Sequence, residues 1–332
     1  MVRKITLIPG DGIGPEIVKS VIDAVNESGA KIQWEIREAG LKAIDKYGLP
    51  LPEDTIESIK RNRVALKGPV TTQIGKGFKS INVALRQKLN LYANIRPVKK
   101  LPGIKTPYDD VDIVIFRENT EDLYAGIEHR IDENRVEAIK LITRDASRRI
   151  ALKAFEYAKK NNRKKVTAIH KANIMKQSDG LFLDEVRNVS SDYNDIQYNE
   201  MIVDNACMNL VMHPERFDVL VTENLYGDIL SDLCAGLVGG LGLVPGMNIG
   251  DDYAVFEAVH GSAPDIAGKN VANPTAILLS AAEMLKYIGE GGPSLKIHDA
   301  VDKVLAEGVY LTPDIGGSCS TQEMTERICH FI

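Results

Sequence analysis

The chain has 332 residues, of which 44% are hydrophobic, 26% charged and 6% aromatic, and its net charge is -5. At about 150 residues per domain this is one large or two ordinary globular domains, which excludes a disordered chain, a collagen-like repeat and a disulfide scaffold. Mild acidity also excludes general nucleic-acid binding, which needs a basic field, though it leaves room for a local basic pocket.

In chain order, residues 5–8 read as a buried strand and 10–15 (Gly10-Asp11-Gly12-Ile13-Gly14-Pro15) as a turn. Residues 16–27 read as a helix with Pro15 at its first turn. Residues 34–38 suit a strand, 55–61 a helix and 64–66 a short strand ending in Lys67-Gly68-Pro69. A strand with almost no polar face follows at 111–116, and a long helix at 146–161. Buried strands are predicted at 165–169 and 219–222, and a helix at 275–287. This alternation implies an α/β fold. The uncharged run 233–250 is long enough to cross a membrane. Its Pro245, Asn248 and glycines point instead to a buried helix end and a glycine-rich turn. Cys207, Cys234, Cys319 and Cys329 form no C-x-x-C pair, which suits a reducing compartment. The N-terminus opens straight into a strand, with no signal or transit segment, so a cytoplasmic protein is expected.

Five features can carry chemistry. The first glycine cluster sits between strand and helix, where phosphate loops often sit, but it matches neither G-x-G-x-x-G nor a Walker A loop. It reads equally as a tight turn. Arg86, Arg96 and Arg117 would suit a substrate with several carboxylates if they converge, because guanidinium clamps carboxylate bidentately. Singly, each reads as a surface or ion-paired arginine. Asp228 and Asp232 stand four apart, on one face of a helix. Their repulsion would be relieved by a hard divalent cation, with Asp204 as a third oxygen donor. The alternative is a helix cap at Asp228 and an exposed Asp232. Tyr124 and Lys171 could move protons. The run His260-Gly261-Ser262-Ala263-Pro264-Asp265-Ile266-Ala267-Gly268, followed by Asn273, is small enough to approach a ligand closely. An acidic residue beside a ribose accepts its hydroxyls and repels a 2′-phosphate, so Asp265 would select NAD over NADP if this run forms an adenosine pocket; the alternative is a glycine-proline loop with an exposed aspartate.

Taken in order, these motifs resemble the β-decarboxylating dehydrogenases that act on isocitrate, 3-isopropylmalate and homoisocitrate. The resemblance runs from Ile8-Pro9-Gly10-Asp11-Gly12-Ile13-Gly14-Pro15-Glu16 to Thr312-Pro313-Asp314-Ile315-Gly316-Gly317. Its most specific pieces are Arg117-Glu118-Asn119-Thr120-Glu121-Asp122-Leu123-Tyr124-Ala125-Gly126, the segment 224–232, and 260–268 with Asn273. Ser80 and Asn82, ahead of Arg86, look like the isocitrate version: a hydroxyl and an amide can bond a γ-carboxylate, where an isopropyl group would need apolar neighbours. Asp265-Ile266 resembles the NAD-using members, since NADP users of the isocitrate branch tend to carry Lys and Tyr there.

The resemblance implies an α/β isocitrate/isopropylmalate dehydrogenase-like fold with two domains around a central cleft, not a Rossmann fold. Residues 1–95 with 240–332 would form the large domain on the cofactor side. Residues 96–239 would form the small one, with a dimerisation arm near 124–142. It further implies NAD-dependent oxidative decarboxylation of isocitrate to 2-oxoglutarate and CO2, dependent on Mg2+ or Mn2+. Thr72, Ser80, Asn82, Arg86, Arg96 and Arg117 would bind the tricarboxylate substrate. Asp228 and Asp232, with Asp204 of a partner subunit, would hold the metal. Lys171 of the partner, linked to Asp228, would assist removal of the hydroxyl proton, and Tyr124 would protonate the enolate. His260, Gly261, Ala263, Asp265, Ile266 and Asn273 would contact NAD. A cytoplasmic homo-oligomer is expected, at least a dimer with shared active sites, with no nucleic-acid or membrane partner. Homoisocitrate or 3-isopropylmalate oxidation is the alternative within the class. A non-catalytic regulatory subunit would be expected to lose such side chains, and a plain nucleotide-binding module would not need them.

Overall fold

The computed structural model describes residues 2–71 and 80–332. Twelve strands are present among them: β1 Arg3–Ile8, β2 Ile32–Ile36, β3 Val64–Lys67, β4 Ala93–Lys99, β5 Asp112–Glu118, β6 Glu128–Arg130, β7 Val136–Ala138, β8 Lys165–His170, β9 Gln197–Ile202, β10 Val219–Thr222, β11 Pro245–Ile249 and β12 Ala254–Ala258. Ten of them form one sheet in the order β2-β1-β3-β12-β11-β4-β5-β10-β8-β9. Its two outer blocks, β2-β1-β3-β12 and β5-β10-β8-β9, are each parallel. The junctions β12-β11, β11-β4 and β4-β5 are antiparallel.

The predicted elements are present with shifted ends. The strand expected at 34–38 is Ile32–Ile36, displaced toward the partner positions that β1 offers it. The uncharged run is indeed a helix end, Asn224–Leu237, followed by a turn at Leu241–Leu243, but its last part is strand β11, which pattern reading did not foresee. Among the described residues no helix is long and apolar enough to cross a membrane. Within 124–142 lies a separate two-stranded hairpin, β6-β7, whose strand residues are all exposed.

Strand alternation explains where a cleft can form. One face of the sheet presents Leu7, Leu66, Phe256, Ile95, Phe116 and Val221 to a single continuous core. Helices Gly14–Glu27, Arg144–Lys160 and Thr275–Tyr287 close that core through Ile17, Ile150 and Ile277. The opposite face has two separate cores. Ile8, Ala65 and Val255 pack under Ile56, Ile59, Ile81 and Leu85 at one side. Val98, Ile113, Ile115 and Leu220 pack under Ala206, Leu210, Leu230 and Cys234 at the other. Between them, the residues of the junction strands that face outward, Asn94, Arg96, Arg117, Asn248 and Glu257, are polar.

Candidate active site

Pairing register builds this polar strip. Lys67 of β3 stands opposite Glu257 of β12, Asn94 of β4 opposite Asn248 of β11, and Asn94 again opposite Arg117 of β5. Directly opposed residues share a face, as do residues two apart on one strand, so Arg96 joins them. Above the strip is a cavity of about 260 Å³. Ser80, Asn82 and Arg86 enter it from the start and turn of helix Ile81–Lys88. Tyr124 enters from the turn before the hairpin. Asp228 and Asp232 enter from helix Asn224–Leu237, and His260 and Gly261 from the loop after β12.

The three predicted arginines therefore converge. All are buried, at 7% exposure or less. Arg117 bonds Asn224 Oδ1 through Nε (2.9 Å) and Nη2 (2.7 Å), and reaches Asp228 through Nη1. Arg96 donates to Ser231 (2.5 Å), Asp232 (2.9 Å) and Asn94 (2.9 Å), and Asp228 lies 3.7 Å from it. Arg86 is more loosely held: among the described residues its carboxylate neighbour, Glu257, is 3.9 Å away and its buried Nε has no bond. Asn82 Oδ1 is likewise buried and unbonded. Burial pushes the Arg117 pKa down to about 10 and lowers that of Arg86 as well, with the other arginines adding to the effect. A site that strains several guanidinium groups in this way favours a polyanion.

Asp228 is the hub of the acid side. Burial would raise its pKa, but Arg117, the Tyr124 hydroxyl and Arg96 together hold it below the usual carboxylate range. Tyr124 donates to Asp228 at 2.5 Å, and the Arg117 guanidinium lies 5.0 Å from its ring. Burial and that bond to Asp228 raise the Tyr124 pKa, so the phenol keeps its proton. Asp228 lies inside its helix rather than at the cap, which is Glu223. The capping alternative is thereby excluded.

Sequence reasoning missed Lys67 and Glu257. They pair at 2.6 Å, and both are buried. Burial would raise the Glu257 pKa, but Lys67 and Arg86 outweigh it and bring it down to about 2. The available signal was a charged residue inside each of two otherwise apolar strands, Val64–Lys67 and Ala254–Ala258.

Other predicted residues stand apart. Lys171 and Asp204 pair with each other at 2.7 Å and do not line the cavity. The metal set Asp204, Asp228 and Asp232 is thus not assembled in one chain, and among the described residues no cluster of three such ligands occurs. Thr72 lies outside the described residues. Of the cofactor set, His260 and Gly261 line the cavity, and the buried His260 Nε2 has no bond among the described residues. Ala263 has φ +39°, Asp265 is exposed and Ile266 half-buried. Asn273 donates to Asp314 at 3.0 Å and accepts from the Thr275 N–H at 2.9 Å.

The first glycine cluster is a clasp. Its Asp11, Ile13 and Gly14 N–H groups are bonded to Pro69, Ser262 and Asp11 carbonyls, at 2.8 to 2.9 Å. A Cβ on Gly12 would sit 1.8 Å from the Ser262 oxygen, so only glycine lets the two loops meet. Glu16 accepts from the Gly268 and Asn270 N–H groups and anchors the far end of the same loop.

Comparison with known proteins agrees with this geometry. The family model described as isocitrate/isopropylmalate dehydrogenase matches residues 4–328. Isocitrate dehydrogenase (NAD) catalytic subunit 5, mitochondrial, of Arabidopsis thaliana is 55% identical over 328 residues, which are 98% of this chain and 88% of that one. Isocitrate dehydrogenase (NAD) subunit alpha, mitochondrial, of Sus scrofa is 53% identical over 334 residues, 100% of this chain and 91% of that one. The crystal structure of isocitrate dehydrogenase from Methylococcus capsulatus superposes with a TM-score of 0.96 at 51% identity, covering 99% of each chain. The curated relatives are named mitochondrial, which overturns the cytoplasmic expectation: a strand at the N-terminus says nothing of compartment. From the order of its motifs, its sheet and these matches, the chain belongs to the isocitrate/isopropylmalate dehydrogenase family.

Proposed function

We propose that this protein catalyses the NAD-dependent oxidative decarboxylation of isocitrate to 2-oxoglutarate and CO2. The observation that carries the reading is the buried cluster of Arg86, Arg96 and Arg117 beside Ser80 and Asn82, in which Arg86 has only the distant Glu257 carboxylate, at 3.9 Å, as an anionic neighbour among the described residues. The relatives named as NAD isocitrate dehydrogenase subunits support it.

In this reading the arginines clamp the substrate carboxylates and orient C2 and C3. Ser80 and Asn82 receive the γ-carboxylate, and Thr72 is assigned a substrate-binding role. Asp228 and Asp232 offer hard carboxylate oxygens on one helix face of the cavity, a donor set that fits Mg2+ or Mn2+ once a further oxygen is supplied. Asp204 of a second copy would supply it. A cation held there would supply Lewis-acid chemistry at the substrate hydroxyl and its neighbouring carboxylate, and NAD held by the cofactor loop would supply the hydride acceptor. Lys171 of the second copy assists departure of the hydroxyl proton. Arg96 and Arg117 stabilise the charge that develops as CO2 leaves. Tyr124, which keeps its proton beside Asp228, delivers it to C3. His260, Gly261, Ala263, Asp265, Ile266 and Asn273 are assigned to NAD. The exposed carboxylate of Asp265 suits ribose hydroxyls.

We assign residues 1–95 with 240–332 to the large domain and 96–239 to the small one, with β4 and β11 as the join. A homo-oligomer follows from the same reading. Helix Val203–Met212 exposes Met208, Val211 and Met212, and the next helix exposes Ile229, close in sequence to Asp204 and Asp228. The hairpin arm carries exposed Ile131, Val136 and Ile139, and an isolated two-stranded sheet is marginal without a partner.

The test is reduction of NAD and, separately, NADP with isocitrate, homoisocitrate and 3-isopropylmalate, in Mg2+ or in EDTA. Metal-dependent reduction of NAD with isocitrate is expected. Preference for another of the acids overturns the reading of Ser80 and Asn82, and absence of turnover with all three overturns the catalytic reading.

A further inference from the structure

Asn248 and Asn94 occupy the floor of the cavity strip and touch no part of the cavity surface. Both are buried, at 2% and 0% exposure. Asn248 donates through Nδ2 to Glu257 at 2.6 Å. Its Oδ1 accepts from Asn94 Nδ2 at 2.9 Å and from Asn119 Nδ2 at 3.0 Å. Asn94 Oδ1 in turn accepts from Arg96 Nε at 2.9 Å. The result is a continuous chain from Lys67 and Glu257, through two amides, to Arg96 and then Asp232.

The chain has a direction. Each amide points its N–H toward the buried carboxylate of Glu257 and its oxygen toward the guanidinium of Arg96. Charges of opposite sign at the two ends polarise both amides the same way. It runs from β12 across β11 and β4, the two strands that separate the parallel blocks among the described residues. Using Nε for the relay leaves Arg96 Nη1 and Nη2 as the groups turned to Ser231, Asp232 and Asp228.

We propose that Asn248 and Asn94 are positioning residues that set the orientation of Arg96 against Glu257 across this junction, and so set the affinity for the substrate carboxylates. This rests on the substrate reading above. Only a side chain that both donates and accepts serves at position 248. Asp can do so when protonated and cannot when ionised, because it then faces Glu257. The charged groups around this point are Glu257, Lys67, Arg86 and Arg96.

The experiment compares Asn248→Asp and Asn94→Ala with wild type, reading kcat and the KM for isocitrate and for NAD at about pH 6 and about pH 8.5, either side of the range for a carboxyl raised by a like charge. In Asn248→Asp the isocitrate KM, relative to wild type, should rise about tenfold or more between the two pH values, with the NAD KM unmoved. Asn94→Ala should raise the isocitrate KM at both pH values by a similar factor. A pH-independent ratio in the first variant, or a loss confined to apparent kcat in both, would assign these residues to folding alone and overturn the proposal. Wild-type turnover of isocitrate tests the substrate reading and the variant-to-wild-type ratio tests the relay, so the two fail separately.

Discussion

The arginine strip and the Lys171–Asp204 pair are two halves of one proposed machine, and they are built in opposite ways. Arg86, Arg96 and Arg117 are buried, their neighbours are asparagines and carboxylates, and all three line one cavity over one face of the sheet. Lys171 Nζ pairs with Asp204 at 2.7 Å, away from the cavity, and the Asp204 side chain is 70% exposed. Desolvated charges need partners from their own chain during folding, because an unpaired one costs several kcal/mol. An exposed pair is worth little to the fold and is free to change partners. The buried half can therefore be complete in one chain, and the exposed half can wait for a second.

The largest expected effect tests the buried half. Arg117→Leu should lower kcat/KM for isocitrate by about a thousandfold or more and also lower the unfolding midpoint, since it leaves Asp228 and Asn224 without their cation. An unchanged midpoint in thermal denaturation would mean that the pair contributes nothing to the fold. Next, Lys171→Ala should lower kcat by about a hundredfold or more with the unfolding midpoint unchanged. Tyr124→Phe should cut kcat by a comparable factor while sparing metal-dependent isocitrate binding. Mixing the two inactive variants under conditions of subunit exchange should restore activity if Lys171 serves the neighbouring copy's Tyr124. No recovery in verified mixed oligomers would break the comparison.

A smaller shift is expected at the cofactor loop. Asp265→Lys with Ile266→Tyr should move the NAD/NADP ratio of kcat/KM toward NADP by about tenfold or more. An unmoved ratio overturns the adenosine-pocket assignment. The smallest effect is on acid stability. The folded-state pKa of Glu257 is about 2, below its ordinary 4.5, so the stability it contributes is full above about pH 4.5 and lost as pH falls toward 2. Glu257→Gln should flatten the dependence of the unfolding midpoint on pH in that window. An unchanged slope would mean that Lys67 and Arg86 do not hold the carboxylate ionised.

Much of the site was legible because its residue types are unusual where they stand. Two aspartates four apart on a helix repel, and three arginines invite a polyanion if they converge. Lys67 and Glu257 went unread because a lone charge in an apolar strand has no meaning until its opposite number is known, and that number is 190 positions away in the chain. The glycine cluster was read as a turn or a phosphate loop, and only the Ser262 carbonyl against Gly12 decides between them. Strand β11 was hidden for a related reason. Pro245-Gly246-Met247-Asn248-Ile249 has weak strand character, and its pairing comes from β12 and β4 on either side.

The sequence by itself determined the α/β class, most strands and helices, the family and the types of group available for chemistry, because these depend on local periodicity and on motif order. The tertiary structure alone decided which groups share a face. Side chains alternate along a strand, so a shift of one residue in register would turn Arg96, Asn248 and Glu257 into the continuous core and destroy the strip. Register is set by strands that meet only on folding, and so the substrate cavity exists only as a consequence of how β3, β12, β11, β4 and β5 align.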